Sequence, residues 1–189
     1  FEQMLIVDEV DQTSVEGASN LPYTIPNLLT ELHSPALGVP VQWWRSVGST
    51  HTAFAVECMI DEMAAAAGRD PVAYRMALLE GHPRHQAVLK LAAEKAGWGA
   101  DLEAGRARGV AVHESFNSYV AQVAEVTVRG NAFSVDRVVI AVDCGVAVNP
   151  NVIEAQMEGG MGFGLSAALV SELTLKDGLV EQSNFHDYQ

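Results

Sequence analysis

The sequence has few cysteines, few basic residues and no long apolar run. Its two cysteines, Cys58 and Cys144, form no Cys-x-x-Cys pair, which excludes thiolate-held zinc and iron–sulfur sites. Both lie in apolar segments, so we expect two buried free thiols rather than a disulfide. No apolar run approaches the roughly 20 residues of a membrane-spanning helix, so we expect no membrane span in this segment.

Positive charge is scarce because 11 Lys and Arg residues accompany 24 Asp and Glu residues, which gives a formal net charge of -13. Such a surface repels phosphate backbones and anionic lipid, and no basic cluster offsets it locally. Nucleic-acid and membrane-surface binding are therefore excluded as primary roles. The 189 residues, 49% of them hydrophobic, suit one ordinary folded domain or two small lobes.

Several familiar catalytic motifs are missing as well. The sequence contains neither a Walker loop nor the Gly-x-Ser-x-Gly elbow of serine hydrolases. The glycines at 159–164 lie inside a predicted helix rather than after a strand, so they do not form a dinucleotide-binding motif. His82 and His85 have no carboxylate at ligand spacing, and the acidic residues between Glu57 and Glu62 predict a solvated helix face.

Helix signals fill the first half of the chain and strand signals fill the second. Ser49 or Thr50 is the expected N-cap of the first long helix, and Asp70-Pro71 predicts the start of the next. Runs rich in Val and Ile predict strands, with a hairpin turn at Arg129-Gly130-Asn131. Asn149-Pro150 predicts a helix toward Ser171. The predicted helices cover about 52–67, 71–80 and 84–96, the strands cover 108–116, 119–128 and 133–142, and a last hairpin surrounds 176–178.

The first forty residues predict no long helix, since residues 4–7 resemble a strand and four prolines between 21 and 41 favour extended chain. The expected fold is α+β, with helices followed by a mainly antiparallel or mixed sheet and a glycine-rich helix. We expect approximate lobes at 1–104 and 105–189. The chain begins at Phe1 and not at Met, and we expect both of its ends to be cut from a longer polypeptide.

One segment with chemical potential precedes the first long helix. Gly48 lets the backbone approach a ligand, and the first helical N–H groups favour an anionic or carbonyl-rich partner. Arg45 adds a fixed fork of donors. An ordinary capped helix with a surface arginine accounts for the same residues, so both interpretations stay open here.

A second segment lies in the glycine-rich helix. Four glycines within one helix cost roughly 1 kcal/mol each relative to alanine, so close packing or a flat ligand should compensate. Gln156 offers a donor and an acceptor side by side, which suits the edge of a pterin ring. Tight helix packing, with Gly159 and Gly160 against another element and Gln156 facing solvent, is the competing explanation.

Taken in order, these segments resemble the large (β) subunit of isoquinoline 1-oxidoreductase and its relatives in the xanthine dehydrogenase/aldehyde oxidase superfamily. The resemblance covers about residues 14–189, and the order and spacing of its motifs make it specific. The matching stretches are Val39–Ser49, Phe54–Pro71, Gly109–Val128, Val142–Gly160 and Glu181–Tyr188.

The resemblance implies part of a molybdenum-cofactor-binding domain in a bacterial molybdenum hydroxylase. Such enzymes hydroxylate an aromatic N-heterocycle or an aldehyde with oxygen from water. It implies a molybdenum-molybdopterin cofactor, usually as the cytosine dinucleotide. It also implies a separate small subunit that carries two [2Fe–2S] clusters.

The resemblance also implies roles for individual residues. Arg45 and Ser46 match a loop whose backbone meets the cofactor, and Gln156 matches a glutamine that hydrogen-bonds the pterin. Val47 matches a substrate-pocket position that is aromatic in some relatives, so its small side chain predicts a differently shaped pocket. Gly48 of the loop, with Gly159 and Gly160 of the helix, completes the expected cofactor-binding set.

No catalytic residue is expected within this chain. The glutamate that serves such enzymes as base lies in a segment that we expect beyond Gln189, so we expect the chain alone to be inactive and to bind cofactor weakly or not at all. A non-catalytic scaffold module without cofactor is the alternative. An unrelated α+β binding domain is a third.

Overall fold

The computed structural model describes residues 5–6, 9–10, 12–33, 38 and 43–188. Its contacts form two compact units, Phe1–Gly145 and Val146–Gln189. The strand-like run expected at residues 4–7 is described only at its centre, where β1 (Leu5–Ile6) pairs antiparallel with β2 (Glu9–Val10). Residues 39–42 of the family resemblance and Gln189 lie outside the described residues.

The described residues of unit 1 include four helices, which follow β1 and β2 and precede the long strands. They are α1 (Gln12–Val15), α2 (Ser49–Ala66), α3 (Pro71–Leu78) and α4 (Pro83–Ala96). The side chain of Asp70 caps α3 by accepting from the N–H of Ala73 over 2.8 Å, as its Asp-Pro start predicts. The expected cap of α2 is wrong, because Gly48 is the N-cap and no side chain caps the helix.

Three long strands complete unit 1. They are β3 (Arg106–Ser115), β4 (Ser118–Arg129) and β5 (Ala132–Asp143), which pair antiparallel in sequence order. The chain therefore changes from helices to strands near residue 105. However, α4 packs across all three strands, and the boundary between the two compact units lies after Gly145. The α+β prediction with a mainly antiparallel sheet is confirmed.

The core of unit 1 lies between this sheet and the helices. Apolar side chains from α2, α4 and all three strands meet there, joined by Tyr23 of the N-terminal segment. Burying such side chains contributes roughly 1.5–3 kcal/mol each, which holds α4 against the sheet. The fully buried members are Leu79, Leu89, Ala92, Ala121 and Val123.

Some predicted burial is wrong. Apolar sequence does not ensure burial in these helices, since Leu91 of α4 is 45% exposed and Phe54 and Met59 of α2 are 73% and 55% exposed. Both cysteines are free, but Cys58 is exposed and Cys144 is only half-buried. The sequence of α2 is apolar on more than one side of the helix, so composition alone does not identify which side packs against the core.

Unit 2 contains α5 (Pro150–Leu169) and a hairpin of β6 (Leu175–Lys176) and β7 (Leu179–Val180). Asn149 caps α5 by accepting from the N–H of Val152 over 3.2 Å, and proline follows the cap as predicted. No residue of α5 is buried. Along the described residues, no helix combines the length and the apolar character needed to cross a membrane.

Candidate functional site

The loop that precedes α2 has an unusual backbone. Ser46 and Val47 have φ angles of 91° and 52°, in the left-handed region that favours glycine. A β-branched residue such as Val47 is rare in that region, and such strain persists only where surrounding contacts maintain it. The loop is therefore held in one shape ahead of the helix.

The first turn of α2 supplies those contacts. The hydroxyl of Thr50 donates to the carbonyl of Val47 over 2.8 Å and lies 2.6 Å from the hydroxyl of Ser46. The N–H of Val47 donates to the carbonyl of Trp44 over 2.9 Å. These bonds leave Arg45 and Ser46 on the exposed side of the loop.

Gly48 faces the protein's own N-terminal segment. Its N–H donates to the carbonyl of Thr13 over 2.9 Å, and a Cβ at this position would clash with that oxygen. The hydroxyl of Thr52 fastens the same segment by donating to the carbonyl of Glu16 over 2.7 Å. The N–H of Gly48 is thus satisfied within the chain, so an external ligand would meet this loop through Arg45 and Ser46.

The second predicted segment lies on α5, in unit 2. Gln156, Gly159 and Gly160 are three and four residues apart, so they share one face of the helix. The Gln156 side chain is exposed. A Cβ built at Gly159 would meet no atom of the described residues within 4 Å, and the same holds at Gly162.

This open face helps to choose between the two explanations for the glycines, which are close helix packing and the binding of a flat ligand. Within unit 2, packing does not account for Gly159, since no described atom lies close enough to its Cβ position to exclude a side chain. A face that combines a carboxamide with side-chain-free positions fits the edge and the flat surface of a pterin ring. The residues present therefore fit the group that the sequence resemblance implies.

A buried ion pair in unit 1 was missed from the sequence. Glu57, expected on a solvated face, is 6% exposed and accepts from Arg75 Nε over 3.0 Å and from the Tyr23 hydroxyl over 2.6 Å. Arg75 also donates to Asp61. Burial raises the pKa of Glu57, although Arg75 and Tyr23 oppose that rise.

The same carboxylate joins the helices to the sheet. Its Oε2 atom accepts from the N–H of Val112 on β3 over 2.9 Å. Burial and the neighbouring Glu57 carboxylate raise the pKa of Tyr23, so its hydroxyl remains a donor. The helical spacing of Glu57 with Ile60 and Ala64, both core residues, is the signal that could have revealed it.

The end of β5 is fixed by a second ion pair. Arg84 donates to Asp143 from Nε over 2.7 Å and from Nη2 over 2.8 Å, and it lies 4.1 Å from the ring centre of Tyr119. Asp143 also accepts from the N–H of Gly145. The hydrogen bond from Arg84 lowers the pKa of Asp143 to about 2, so the pair keeps its charges at neutral pH.

Metal ligation by protein side chains has no support in the described part of the chain. No three His, Cys, Asp or Glu side chains there lie close enough together to hold an ion. This result includes His82 and His85, whose rings contact each other edge to face.

The sequence is similar to known proteins along most of its length. Residues 47–189 match the model of a family described as the molybdopterin cofactor-binding domain. The chain is 38% identical to the beta subunit of isoquinoline 1-oxidoreductase of Brevundimonas diminuta, over 88% of this chain and 22% of that protein. It is 31% identical to a subunit of nicotinate dehydrogenase of Pseudomonas putida, over 94% of this chain and 16% of that protein.

A third relative is named for a different cofactor. The chain is 29% identical to the membrane-bound aldehyde dehydrogenase [pyrroloquinoline-quinone] of Gluconacetobacter polyoxogenes, over 77% of this chain and 22% of that protein. The chain thus spans about a fifth of the length of these curated relatives. No solved structure matches it significantly.

Proposed function

The chain belongs to the molybdopterin cofactor-binding domain family, and we propose that it forms one wall of the cofactor site in a molybdenum-dependent hydroxylase. The observation that carries the proposal is the open face of α5, where Gln156 lies beside Gly159 and Gly160. All three residues fall within the part of the chain that matches the family.

Each residue of that face has a distinct part in binding. The carboxamide of Gln156 donates and accepts side by side, which matches the alternating polar atoms of a pterin edge without burying a charge. Gly159 and Gly160 keep the adjoining helix surface free of side chains, so a flat ring can approach the backbone.

We also propose a cofactor-binding role for the loop before α2, as its resemblance to the family implies. Arg45 offers fixed guanidinium donors to an anionic part of the cofactor, and Ser46 offers its backbone and hydroxyl. Gly48 contributes by letting residues 13–16 brace the loop, which keeps Ser46 and Val47 in their left-handed conformation. Val47 adjoins the substrate pocket, where its small side chain leaves more space than an aromatic ring.

The bound cofactor would supply two-electron redox chemistry, in which substrate carbon is hydroxylated with oxygen from water. An aromatic N-heterocycle or an aldehyde is the proposed substrate class. The names of the three relatives, which refer to isoquinoline, nicotinate and aldehyde, support this choice.

The complete enzyme is proposed to need further parts. Two relatives are named as subunits, which supports a multi-subunit assembly, and we propose a [2Fe–2S] small subunit as partner and the cytosine dinucleotide form of the cofactor. We assign no residue of this chain as the catalytic base, and we expect the chain alone not to turn over.

Molybdenum per polypeptide tests the proposal. The polypeptide that carries this chain is expressed at its natural length with its iron–sulfur partner, as wild type, Gln156→Ala and Asn151→Ala. Asn151 is an exposed amide on α5 that lies away from the Gln156 face, so it is the matched control. Loss of one amide contact should cost roughly 1–3 kcal/mol of cofactor binding, which lowers molybdenum content in Gln156→Ala alone.

Other outcomes separate the alternatives. A folded complex without molybdenum in the wild type would overturn the proposal and favour a scaffold module. Pyrroloquinoline quinone in place of molybdenum would favour the chemistry named for the third relative. Equal molybdenum in all three proteins would keep the family function and remove Gln156 from the site.

A further inference from the structure

A small cavity of about 30 Å³ lies within unit 1, apart from the loop and helix face described above. The N-terminal segment, α2, α4 and β3 all contribute to its wall. The lining residues that matter here are Gly17, Tyr23, Glu57, His85, His113 and Glu114.

Two imidazole nitrogens at this cavity have no protein partner. The Nε2 atoms of His85 and His113 are both buried, and neither has a hydrogen-bond partner among the described residues. His85 as a whole is 6% exposed. An unsatisfied buried polar atom is unfavourable, so native proteins usually provide it with a protein group or an ordered water.

Both histidines are neutral at physiological pH. Burial lowers the pKa of His85 to about 4, with smaller contributions from His82, His113 and Arg84 in the same direction and from Glu114 in the opposite one. Burial also lowers the pKa of His113. Each neutral ring has one donor and one acceptor nitrogen, so an uncharged molecule that both donates and accepts suits the pair.

The size of the cavity limits what it can hold. A volume of about 30 Å³ has room for one water, or at most about two, and for no larger organic group. Gly17 keeps this volume open, because a Cβ there would lie 2.9 Å from His113 Cε1 and 2.5 Å from Thr52 Oγ1.

We propose that this cavity is a binding site for an internal water molecule, which hydrogen-bonds to the Nε2 atoms of His85 and His113 and thereby links α4 to β3. The site is independent of the proposed cofactor function. It satisfies two buried nitrogens that otherwise have no partner, beside the Tyr23–Glu57–Arg75 network, at the place where the N-terminal segment meets the end of β3.

Magnetic relaxation dispersion of water nuclei tests the site, because it counts water molecules that stay bound for long times. The protein is measured as wild type, His85→Phe, His113→Phe and His186→Phe. His186 is an exposed histidine of unit 2 and serves as the matched control. We expect one long-lived water fewer in each of the first two variants and an unchanged count in the control.

A high-resolution crystal structure of the wild type gives a second test that needs no variant to fold. We expect density in the cavity at roughly 2.7–3.2 Å from both Nε2 atoms. A cavity without density, or an equal count of long-lived waters in the wild type and both cavity variants, would overturn the proposal.

Discussion

The fully buried guanidinium of Arg75 donates from Nε to Glu57 Oε2 over 3.0 Å, and this pair fastens α3 to α2. The same Oε2 atom accepts from the N–H of Val112, so one carboxylate joins two helices to the sheet. Breaking a buried ion pair leaves an uncompensated charge, whereas replacing both members need not be destabilising.

We predict that Arg75→Met lowers the free energy of unfolding by about 3–5 kcal/mol, because it leaves Glu57 buried without its cation. Arg69→Met, at an exposed position between the same helices, should change it by less than about 0.5 kcal/mol. Urea unfolding followed by tryptophan fluorescence measures both, since all three tryptophans lie in unit 1.

Adding Glu57→Gln to Arg75→Met should restore part of the lost stability, roughly 1–3 kcal/mol, because the neutral amide removes the buried charge. Its one oxygen can still accept from the N–H of Val112, while its NH2 group can donate to the Tyr23 hydroxyl. The double-mutant cycle in urea measures this coupling. Additive effects of the two substitutions would show that the pair does not act as a unit.

Glu125 is buried on β4 among three arginines. Its carboxylate lies 3.0 Å from Arg108, 3.2 Å from Arg137 and 3.6 Å from Arg106. Glu125→Gln should lower the free energy of unfolding by about 1–3 kcal/mol, because the arginines then repel one another while solvent screens the more exposed ones. Urea unfolding measures the change. Glu80→Gln, at an exposed position, is the control, and equal effects would contradict the prediction.

The elements predicted well are those with local signals. The Asp70-Pro71 and Asn149-Pro150 starts and the hairpin turn at Gly130 depend on residues within a few positions of one another, and all three are confirmed. Glu57 is different, because Tyr23 and Val112 lie 34 and 55 positions away. No local pattern identifies such partners, so its acidic neighbours suggested a solvated face.

The same difference between local signals and long-range contacts applies to the candidate site. Helical spacing alone puts Gln156 and Gly159 on one face, and α5 is a continuous helix through both positions. The contact between Gly48 and Thr13 spans more than thirty positions, so no local pattern indicates that the N–H of Gly48 is already satisfied. The binding roles of these residues stay predictions.

Acid pH should destabilise unit 1 through His85. Its pKa is lowered from 6.5 to about 4 in the folded state, so below pH 6.5 the unfolded chain binds a proton that the folded chain does not. The contribution of neutral His85 to the free energy of unfolding is therefore complete above pH 6.5. It decreases by up to about 3 kcal/mol as the pH drops toward 4. His82, Arg84 and His113 disfavour the proton and Glu114 favours it.

His85→Gln removes this titration, so the free energy of unfolding should fall less steeply between pH 6.5 and 4 than in the wild type. His113, whose pKa is also lowered, accounts for a remaining slope. Urea unfolding at several pH values measures both slopes, with the exposed His186→Gln as control. Parallel slopes in the wild type and His85→Gln would exclude this role for His85.

Gly48→Ala should destabilise the contact between the N-terminal segment and α2. The added methyl would clash with the carbonyl oxygen of Thr13, and overpacking of this kind costs typically about 1–3 kcal/mol. Gly109→Ala is the control, because no atom lies within 4 Å of its Cβ position. Proteolysis within residues 13–16 should speed up only in Gly48→Ala, and equal rates would show that the segment adjusts freely.

Two properties of the glycine-rich helix should change in opposite directions when one glycine is replaced. Replacing a mid-helix glycine with alanine stabilises a helix by roughly 1 kcal/mol, and both Gly159 and Gly162 have space for a methyl group. Gly159→Ala and Gly162→Ala should therefore raise the helix stability of α5 alike, as measured by hydrogen exchange.

Only Gly159 shares the Gln156 face, so only Gly159→Ala should also lower molybdenum per polypeptide in the complete enzyme. A steric effect on the cofactor explains a more stable helix that binds less metal, whereas a folding defect would lower both quantities. If Gly159→Ala kept its full molybdenum content, the flat ligand would lie on another surface, and the glycines would need a different explanation.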